Sequence, residues 1–309
     1  MAETLGSIHD LCGLLLQQFI DLWLYTCGRR HRRSDVPWMV CPTGPPDRIG
    51  EHWYEQLAAS ENLTLKISTG SGLVPDWNDL RGPSFDPNAV HPAIRDFYEH
   101  TSLYHLEAWS EVSLLMRFFL WGLVTFASRR MQQLNFPVSS MELAGGMSSE
   151  IIELTDSNGR RKYTGWLRRM KKNGYVIYAG IYTTGTVPEY DGRCVKVSFP
   201  VPRGSSTVFL RPEALPDGSF KLISQGKQFG DSGFYRLIER GRDFYQVRYL
   251  KTLHEVFHVY VDGEGVLRTD HSIRYLGVQV MRLHYKIEAK DEVQGPKNAV
   301  KTQDSVGPR

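Results

Sequence analysis

Apolar residues follow a helical spacing in the first part of the chain and a spacing of two in the second part. Leu5 to Cys27 is apolar at nearly all helical positions, and shorter helical stretches run from Glu51 to Glu61 and from Pro92 onward. Pro92 suits the first turn of a helix, and the pattern predicts a further helix from Leu103 to Leu134. The chain therefore begins with a helical, loop-rich region and changes character near residue 140.

After Met147 the alternation is that of strands separated by short turns. Sequences such as Asn173-Gly174 and Asp217-Gly218 are typical of hairpins. The predicted strands are Glu150–Thr155, Lys162–Arg169, Tyr175–Thr184, Arg193–Phe199, Ser206–Arg211, Ser219–Ser224, Phe234–Glu239, Asp243–Leu250, Leu253–Val261, Val266–Tyr275 and Val278–Ile287. A run of about ten strands without intervening helices indicates an antiparallel meander, and such a large sheet tends to curl into a barrel or half-barrel.

These patterns predict an α+β fold in which an N-terminal helical region packs against an antiparallel β-meander. The expected divisions are a helical and loop-rich region at 1–145, a barrel-like domain at 146–288 and a disordered tail at 289–309. The second region is similar in plan to lipocalin-like barrels. The resemblance is architectural only, because Gly165 and Trp166 are adjacent and the lipocalin G-x-W spacing is absent.

One string, His254-Glu255-Val256-Phe257-His258, matches the H-E-x-x-H motif of zinc metallopeptidases. In those enzymes the motif lies on a helix, but here Val, Phe and Tyr surround it and Asp262–Gly265 forms a turn sequence after it. We therefore expect a strand, on which residues four apart lie roughly 13 Å apart at about 3.3 Å per residue. Zinc bound by His254 and His258 is kept as an alternative, and no cofactor is otherwise expected.

A hairpin at Asp262–Gly265 brings further histidines near this strand. If Val261 pairs with Val266 and Tyr275 with Val278, one face carries four histidines and an arginine. The predicted acid–base candidates are His254, His258, His271 and His284. The predicted ligand-orienting residues are Arg282, Tyr260, Tyr275 and Trp166. On this hypothesis His271→Ala should matter as much as His258→Ala, whereas Glu255→Gln should matter only for a zinc peptidase.

Two other surfaces attract attention. The hairpin Arg160–Lys172 holds seven cations and no acid, which fits either an anion site or a charged hairpin that protects a sheet edge; we favour the second. The apolar runs Leu5–Cys27 and Val112–Ala127 are each followed by arginines, which fits either a membrane interface or packing against the sheet. Contact with a membrane surface is expected, if anywhere, through residues 5–27.

Composition excludes several classes. A net charge of +3 from 37 basic and 34 acidic residues argues against a nucleic-acid partner. Four cysteines without paired spacing indicate free thiols rather than a disulfide framework, which favours a cytoplasmic protein, peripheral to a membrane at most. The P-loop, dinucleotide-binding and G-x-S-x-G signatures do not occur.

The sequence thus favours a protein that binds, and in one version transforms, a hydrophobic small molecule such as a lipid, isoprenoid or polyketide-like compound inside the barrel. The alternatives are a zinc-dependent hydrolase that uses the His254–His258 string and a non-catalytic scaffold with a solid barrel.

Overall fold

The computed structural model describes residues 2–135 and 146–290. Within them, every one of the eleven predicted strands is present. They are β4 Met147–Thr155, β5 Arg161–Met170, β6 Val176–Val187, β7 Tyr190–Val201, β8 Gly204–Ala214, β9 Phe220–Ile223, β10 Gly233–Arg240, β11 Phe244–Tyr249, β12 Leu253–Val261, β13 Leu267–Tyr275 and β14 Val278–Ala289. The α+β prediction with an antiparallel sheet is confirmed at this level.

The N-terminal half is less helical than predicted. Its helices are α1 Ala2–Cys27, α2 Trp53–Glu61, α3 Pro92–Glu99, α4 Leu114–Leu123 and the short α5 Arg129–Met131, with a π-helical turn at Val124–Ser128. It also contributes strands β1 Arg29–Arg32, β2 Thr64–Ser68 and β3 Tyr104–Val112. The predicted helix from Leu103 to Leu134 was therefore wrong over its first third, because Tyr104–Val112 pairs with β14 as a strand.

All strand pairs in the described residues are antiparallel and belong to one sheet. Its main path runs β2-β4-β5-β6-β7-β8-β9-β12-β13-β14-β3, and a branch of β10, β11 and β1 leaves β8. The two ends, β2 and β3, are not hydrogen-bonded to each other, so the sheet is open. A closed barrel is not confirmed.

The predicted domain limits lie between residues 145 and 146 and between residues 288 and 289. The limit between residues 145 and 146 stays a prediction, and residues 136–145 lie outside the described part of the chain. Three strands from before that limit belong to the same sheet as those after it. Ala289, predicted to begin a disordered tail, is the last residue of β14, and residues 291–309 lie outside the described part.

The sheet packs on both of its faces. On one face of β4 to β6, helix α2 buries Trp53, Tyr54 and Leu57 against residues such as Ile152 and Leu154. On the opposite face, α3 and the loops after α2 bury Trp77, Tyr98 and Phe220 together with side chains from most of the strands. This second, aromatic-rich cluster surrounds the cavity described next.

Candidate functional site

The register of strands β12, β13 and β14 decides which histidines share a face. Val261 pairs with Leu267 rather than Val266, because Val266 lies opposite Asp262, whose amide donates to its carbonyl. Tyr275 pairs with Val278 as predicted, but a bulge after Ile273 shifts the rest of that pair by one residue. A slip of one residue turns a side chain to the other face of a sheet.

The predicted single face of histidines was therefore wrong. His258 pairs with Asp270, and His271 pairs with Phe257 and Leu283. His284 pairs with Asp270 as well, instead of Thr269. His254, His258 and His284 are thus separated from His271 by the sheet itself.

The H-E-x-x-H string lies within β12, as the strand prediction required. His254 and His258 stand on a strand at positions four apart, instead of sharing a helical face as zinc peptidases need. No group of three or more metal-ligating side chains occurs among residues 2–135 and 146–290.

The face that carries His258 makes polar contacts away from the cavity. His258 Nε2 lies 3.1 Å from Ser219 Oγ, and its ring lies 5.1 Å from that of Tyr260. Burial lowers the pKa of His258, and the nearby ammonium of Lys221 lowers it further. His284 Nδ1 lies 2.6 Å from Asp270 Oδ1, and Arg282 is exposed. These contacts are those of a polar outer surface.

The opposite face encloses a cavity of about 470 Å³, within the usual range of small-molecule sites. Its wall is mostly aliphatic and aromatic. The strands and α3 contribute to it, as do Met116, Leu120 and Leu123 of α4. Arg168, Glu255, Thr269, His271 and Ser206 add polar groups, as do several tyrosines.

Glu255 and His271 form a buried pair in this wall. Glu255 Oε2 lies 2.9 Å from His271 Nε2, and both side chains are less than one tenth exposed. Phe257 stacks on the imidazole with ring centroids 3.8 Å apart. His271 Nδ1 is buried without a hydrogen-bond partner in the described residues. The carboxylate therefore orients the imidazole, and the second ring nitrogen has no partner among the described residues.

Arg168 places a cation in the same wall. It alternates with Trp166 along β5, so both side chains point to the cavity face, and Arg168 is only 3% exposed. Its Cζ lies 5.2 Å, 5.7 Å and 5.3 Å from the ring centroids of Trp166, Tyr178 and Tyr285. Burial lowers the pKa of Arg168, but the phenols of Tyr285 and Tyr178 more than offset it, so the group stays charged.

Two tyrosines lie beside Arg168 in the same wall. The hydroxyl oxygens of Tyr178 and Tyr182 lie 3.5 Å apart on the strand next to Arg168. Burial raises the pKa of Tyr182, and the charge of nearby Glu255 contributes in the same direction. The otherwise apolar wall thus carries Arg168 with the two tyrosines beside it, and Glu255 with His271.

Three of the eight predicted site residues line this cavity. They are His271, Tyr275 and Trp166, whereas His254, His258, His284, Arg282 and Tyr260 do not. Sequence reasoning missed Glu255, Arg168, Tyr178, Tyr182 and Tyr285. A signal existed for two of them. Glu255 alternates with Phe257 and Val259, and Arg168 alternates with Trp166, so each shares a face with apolar residues.

The comparisons with known proteins give one distant relative and no family. The chain is 26% identical over 253 residues to the "Uncharacterized membrane protein YndJ" of Bacillus subtilis (strain 168). The alignment covers 78% of this chain and 41% of that protein, so the chain spans well under half of its relative's length. No family model matches the chain. No solved structure matches it either.

Proposed function

We propose that this protein binds a hydrophobic small molecule in the cavity enclosed by its sheet. The observation that carries the proposal is a cavity of about 470 Å³ with an apolar wall and a few convergent polar groups. That combination is typical of sites that bury a ligand and fix its orientation. Packed cores, in contrast, leave few voids larger than a water molecule.

A chemical step on the bound molecule would use Glu255 and His271. The carboxylate holds the imidazole through a contact of 2.9 Å, and both residues line the cavity. This arrangement suits proton transfer to or from a ligand. A zinc hydrolase receives no support from a strand that carries His254 and His258.

Mass spectrometry of the native protein, purified without detergent from its own host, tests the proposal directly. We expect a co-purifying hydrophobic compound that is lost on denaturation. A protein that is consistently empty, and that also fails to take up hexadecanol when this is added, would support the scaffold alternative instead.

A matched pair of substitutions tests whether the cavity is hollow in solution. The side chains of Leu210 and Leu154 are both almost completely buried. Leu210 lines the cavity, whereas Leu154 packs against α2. Leu154→Phe overpacks a filled core and should cost about 1–3 kcal/mol. Leu210→Phe should cost clearly less, because the added ring enters free space, and it should reduce hexadecanol uptake. Equal losses of unfolding free energy for the two variants would indicate a solid interior.

A second candidate function is attachment to a membrane surface through α1, and an exposed apolar stripe favours it. Along α1, Leu11, Leu15, Phe19 and Leu22 are each more than half exposed. On the neighbouring segment Phe118 and Trp121 are 79% and 55% exposed. Monomeric proteins rarely expose so continuous an apolar surface without a partner.

The charge at the end of α1 fits a lipid surface as that partner. Arg29, Arg30 and Arg32 follow the helix directly and are exposed. Apolar residues with flanking arginines are the pattern of interfacial helices. The relative from Bacillus subtilis is named a membrane protein. Within residues 2–135 and 146–290, no helix is both long and apolar enough to span a bilayer.

Flotation with vesicles tests this attachment. The wild-type protein should float with vesicles that contain one third phosphatidylglycerol. The double variant Leu15→Ser, Phe19→Ser should stay at the bottom, and Gln18→Ser on the same exposed helix is the control. Flotation of the double variant at the wild-type level would show that the stripe serves another purpose, such as self-association.

A further inference from the structure

Arg168 is a buried charge without a counter-charge. No acidic side chain forms an ion pair with it in the described part of the chain, and its Nε has no hydrogen-bond partner there. Its Nη2 makes a weak contact of 3.5 Å to Met147 Sδ, and its hydrogen-bond partners Tyr178 and Tyr285 carry no charge. Burying an unpaired charge is costly, and three aromatic faces offset only part of that cost.

The neighbouring cations of the same hairpin behave differently. Arg161 pairs with Glu153 at 2.6 Å, Lys162 with Glu61 at 2.7 Å, and Arg169 with Glu51 at 2.6 Å. These ion pairs fit the charged-hairpin interpretation that the sequence favoured. Arg168 does not fit it, because its side chain points inward and lacks an acid.

Arg168 also lies between the cavity and a second, polar pocket. That outer pocket has a volume of about 230 Å³. It lies between β3, which is one end of the open sheet, and β4, which is the strand next to the other end. Arg168 and Leu106 line both spaces. Lys171 and Lys290 line the outer pocket and are exposed, and Ser148 and Ser149 add hydroxyl groups. A ligand that entered through this gap would meet cations first and an apolar space behind them.

We propose that the ligand is an amphiphile with an anionic head, a carboxylate or a phosphate, and that Arg168 binds the head while the apolar chain fills the cavity. The inference rests on the proposed binding function and specifies its ligand class. The guanidinium supplies planar donors that match either anion. Lys171 and Lys290 attract the head group at the entrance, and Trp166, Tyr178 and Tyr285 hold the guanidinium in position.

Three probes with one chain and different heads test the inference on delipidated, full-length protein. They are hexadecanoate, hexadecyl phosphate and neutral hexadecanol, and binding is measured by isothermal titration calorimetry. Arg168→Met removes the charge and keeps the length of the side chain. Arg169→Met, on the neighbouring position that pairs with Glu51 and Glu150, is the matched control.

We expect wild-type protein to bind at least one anionic probe more tightly than hexadecanol. Arg168→Met should weaken that anionic probe by about 10- to 100-fold, the effect of losing a charge-assisted hydrogen bond, and leave hexadecanol binding unchanged. Arg169→Met should alter none of the three affinities. A preference for hexadecanoate over hexadecyl phosphate, or the reverse, identifies the head group as carboxylate or phosphate.

The failure of this inference differs from the failure of the binding function. If hexadecanol binds as tightly as both anions, and Arg168→Met weakens none of them selectively, the anionic-head inference is overturned while the cavity still binds ligands. If none of the three probes binds, the binding function itself falls.

Thermal unfolding of the empty variants gives an independent readout. Because the charge of Arg168 is unpaired, Arg168→Met should raise the melting temperature of the ligand-free protein. A lower melting temperature together with unchanged anion binding would assign Arg168 a purely structural role.

Discussion

The carboxylate of Glu255 and the imidazole of His271 lie on neighbouring strands, with Oε2 and Nε2 separated by 2.9 Å inside an apolar wall. The strand register brings them to the same face, since Glu255 pairs with Ile273 and His271 with Phe257. We therefore no longer expect Glu255 to matter only in a zinc peptidase. Glu255 contacts the one candidate histidine that lines the cavity.

This pair should show strong thermodynamic coupling. Glu255→Leu or His271→Leu alone leaves a buried polar partner unsatisfied, which costs about 1–3 kcal/mol, whereas the double variant removes both groups together. We expect the double variant to lose less unfolding free energy than the sum of the two single losses. Urea denaturation of the four proteins measures the coupling. Additivity within about 0.5 kcal/mol would show that the two side chains do not interact in solution.

Histidines on the outer face should make stability depend on pH. Burial lowers the pKa of both His254 and His258. The charge of Lys221 also lowers the pKa of His258, and the charges of Asp270 and Asp217 raise it by less than the two lowering effects combined. The unfolded chain, with an ordinary histidine pKa of about 6.5, then binds more protons than the folded one. The unfolding free energy should therefore fall as the pH drops from about 6.5 through the lower folded pKa.

Urea denaturation between pH 7.5 and pH 5 tests this prediction. His258→Gln should reduce the loss of stability over that interval, while a substitution at the exposed His52 should leave the wild-type slope unchanged. The same slope in His258→Gln and the wild type would contradict the assignment.

Trp166 should report on occupancy of the cavity. Its indole lines the cavity and donates to Ser149 Oγ at 2.7 Å, whereas Trp53 belongs to α2 and is buried on the other side of the sheet. Bromohexadecane, a heavy-atom quencher without a head group, should reduce the tryptophan fluorescence of the wild type and of Trp53→Phe. In Trp166→Phe most of that quenching should disappear. Undiminished quenching would place the probe elsewhere on the protein.

The sequence predicted the strands well because local turn chemistry and alternation specify them. The turn at Leu276-Gly277, for example, has positive φ at both residues, 52° and 81°, as a two-residue hairpin requires. The sequence did not predict which side chains share a face of the sheet. The pairing of Asp262 with Val266 through a hydrogen bond and the bulge after Ile273 each shift the register by one residue. The bulge has no distinctive residue pattern, whereas Gly265, with a φ of 79°, is a signal for the first shift that the prediction of a four-residue loop did not use.

The errors in the N-terminal half have a different cause. Tyr104–Val112 alternates polar and apolar residues, but it becomes a strand only by pairing with β14, which is more than 160 residues away in sequence. Arg168 was grouped with its charged neighbours, since the sequence of the hairpin shows seven cations but not which of them meet acids from α2 and β4. Both features depend on tertiary contacts.

Helix α1 should be sensitive to a single added methyl group. A Cβ on Gly13 would lie 2.3 Å from the carbonyl oxygen of Phe126 and 2.7 Å from Cδ of Arg130, so Gly13→Ala must displace α1 from the π-helical turn. We expect a loss of about 1–3 kcal/mol and faster proteolysis of the N-terminal segment. Gly122→Ala is the control. Apart from its chain neighbours and the backbone of its own helix, no described atom lies within 4 Å of its added Cβ, and alanine in a helix should gain about 0.5–1 kcal/mol. If the two variants resist limited proteolysis equally, α1 is not held against residues 124–128, and its apolar stripe would then have to be explained without that contact.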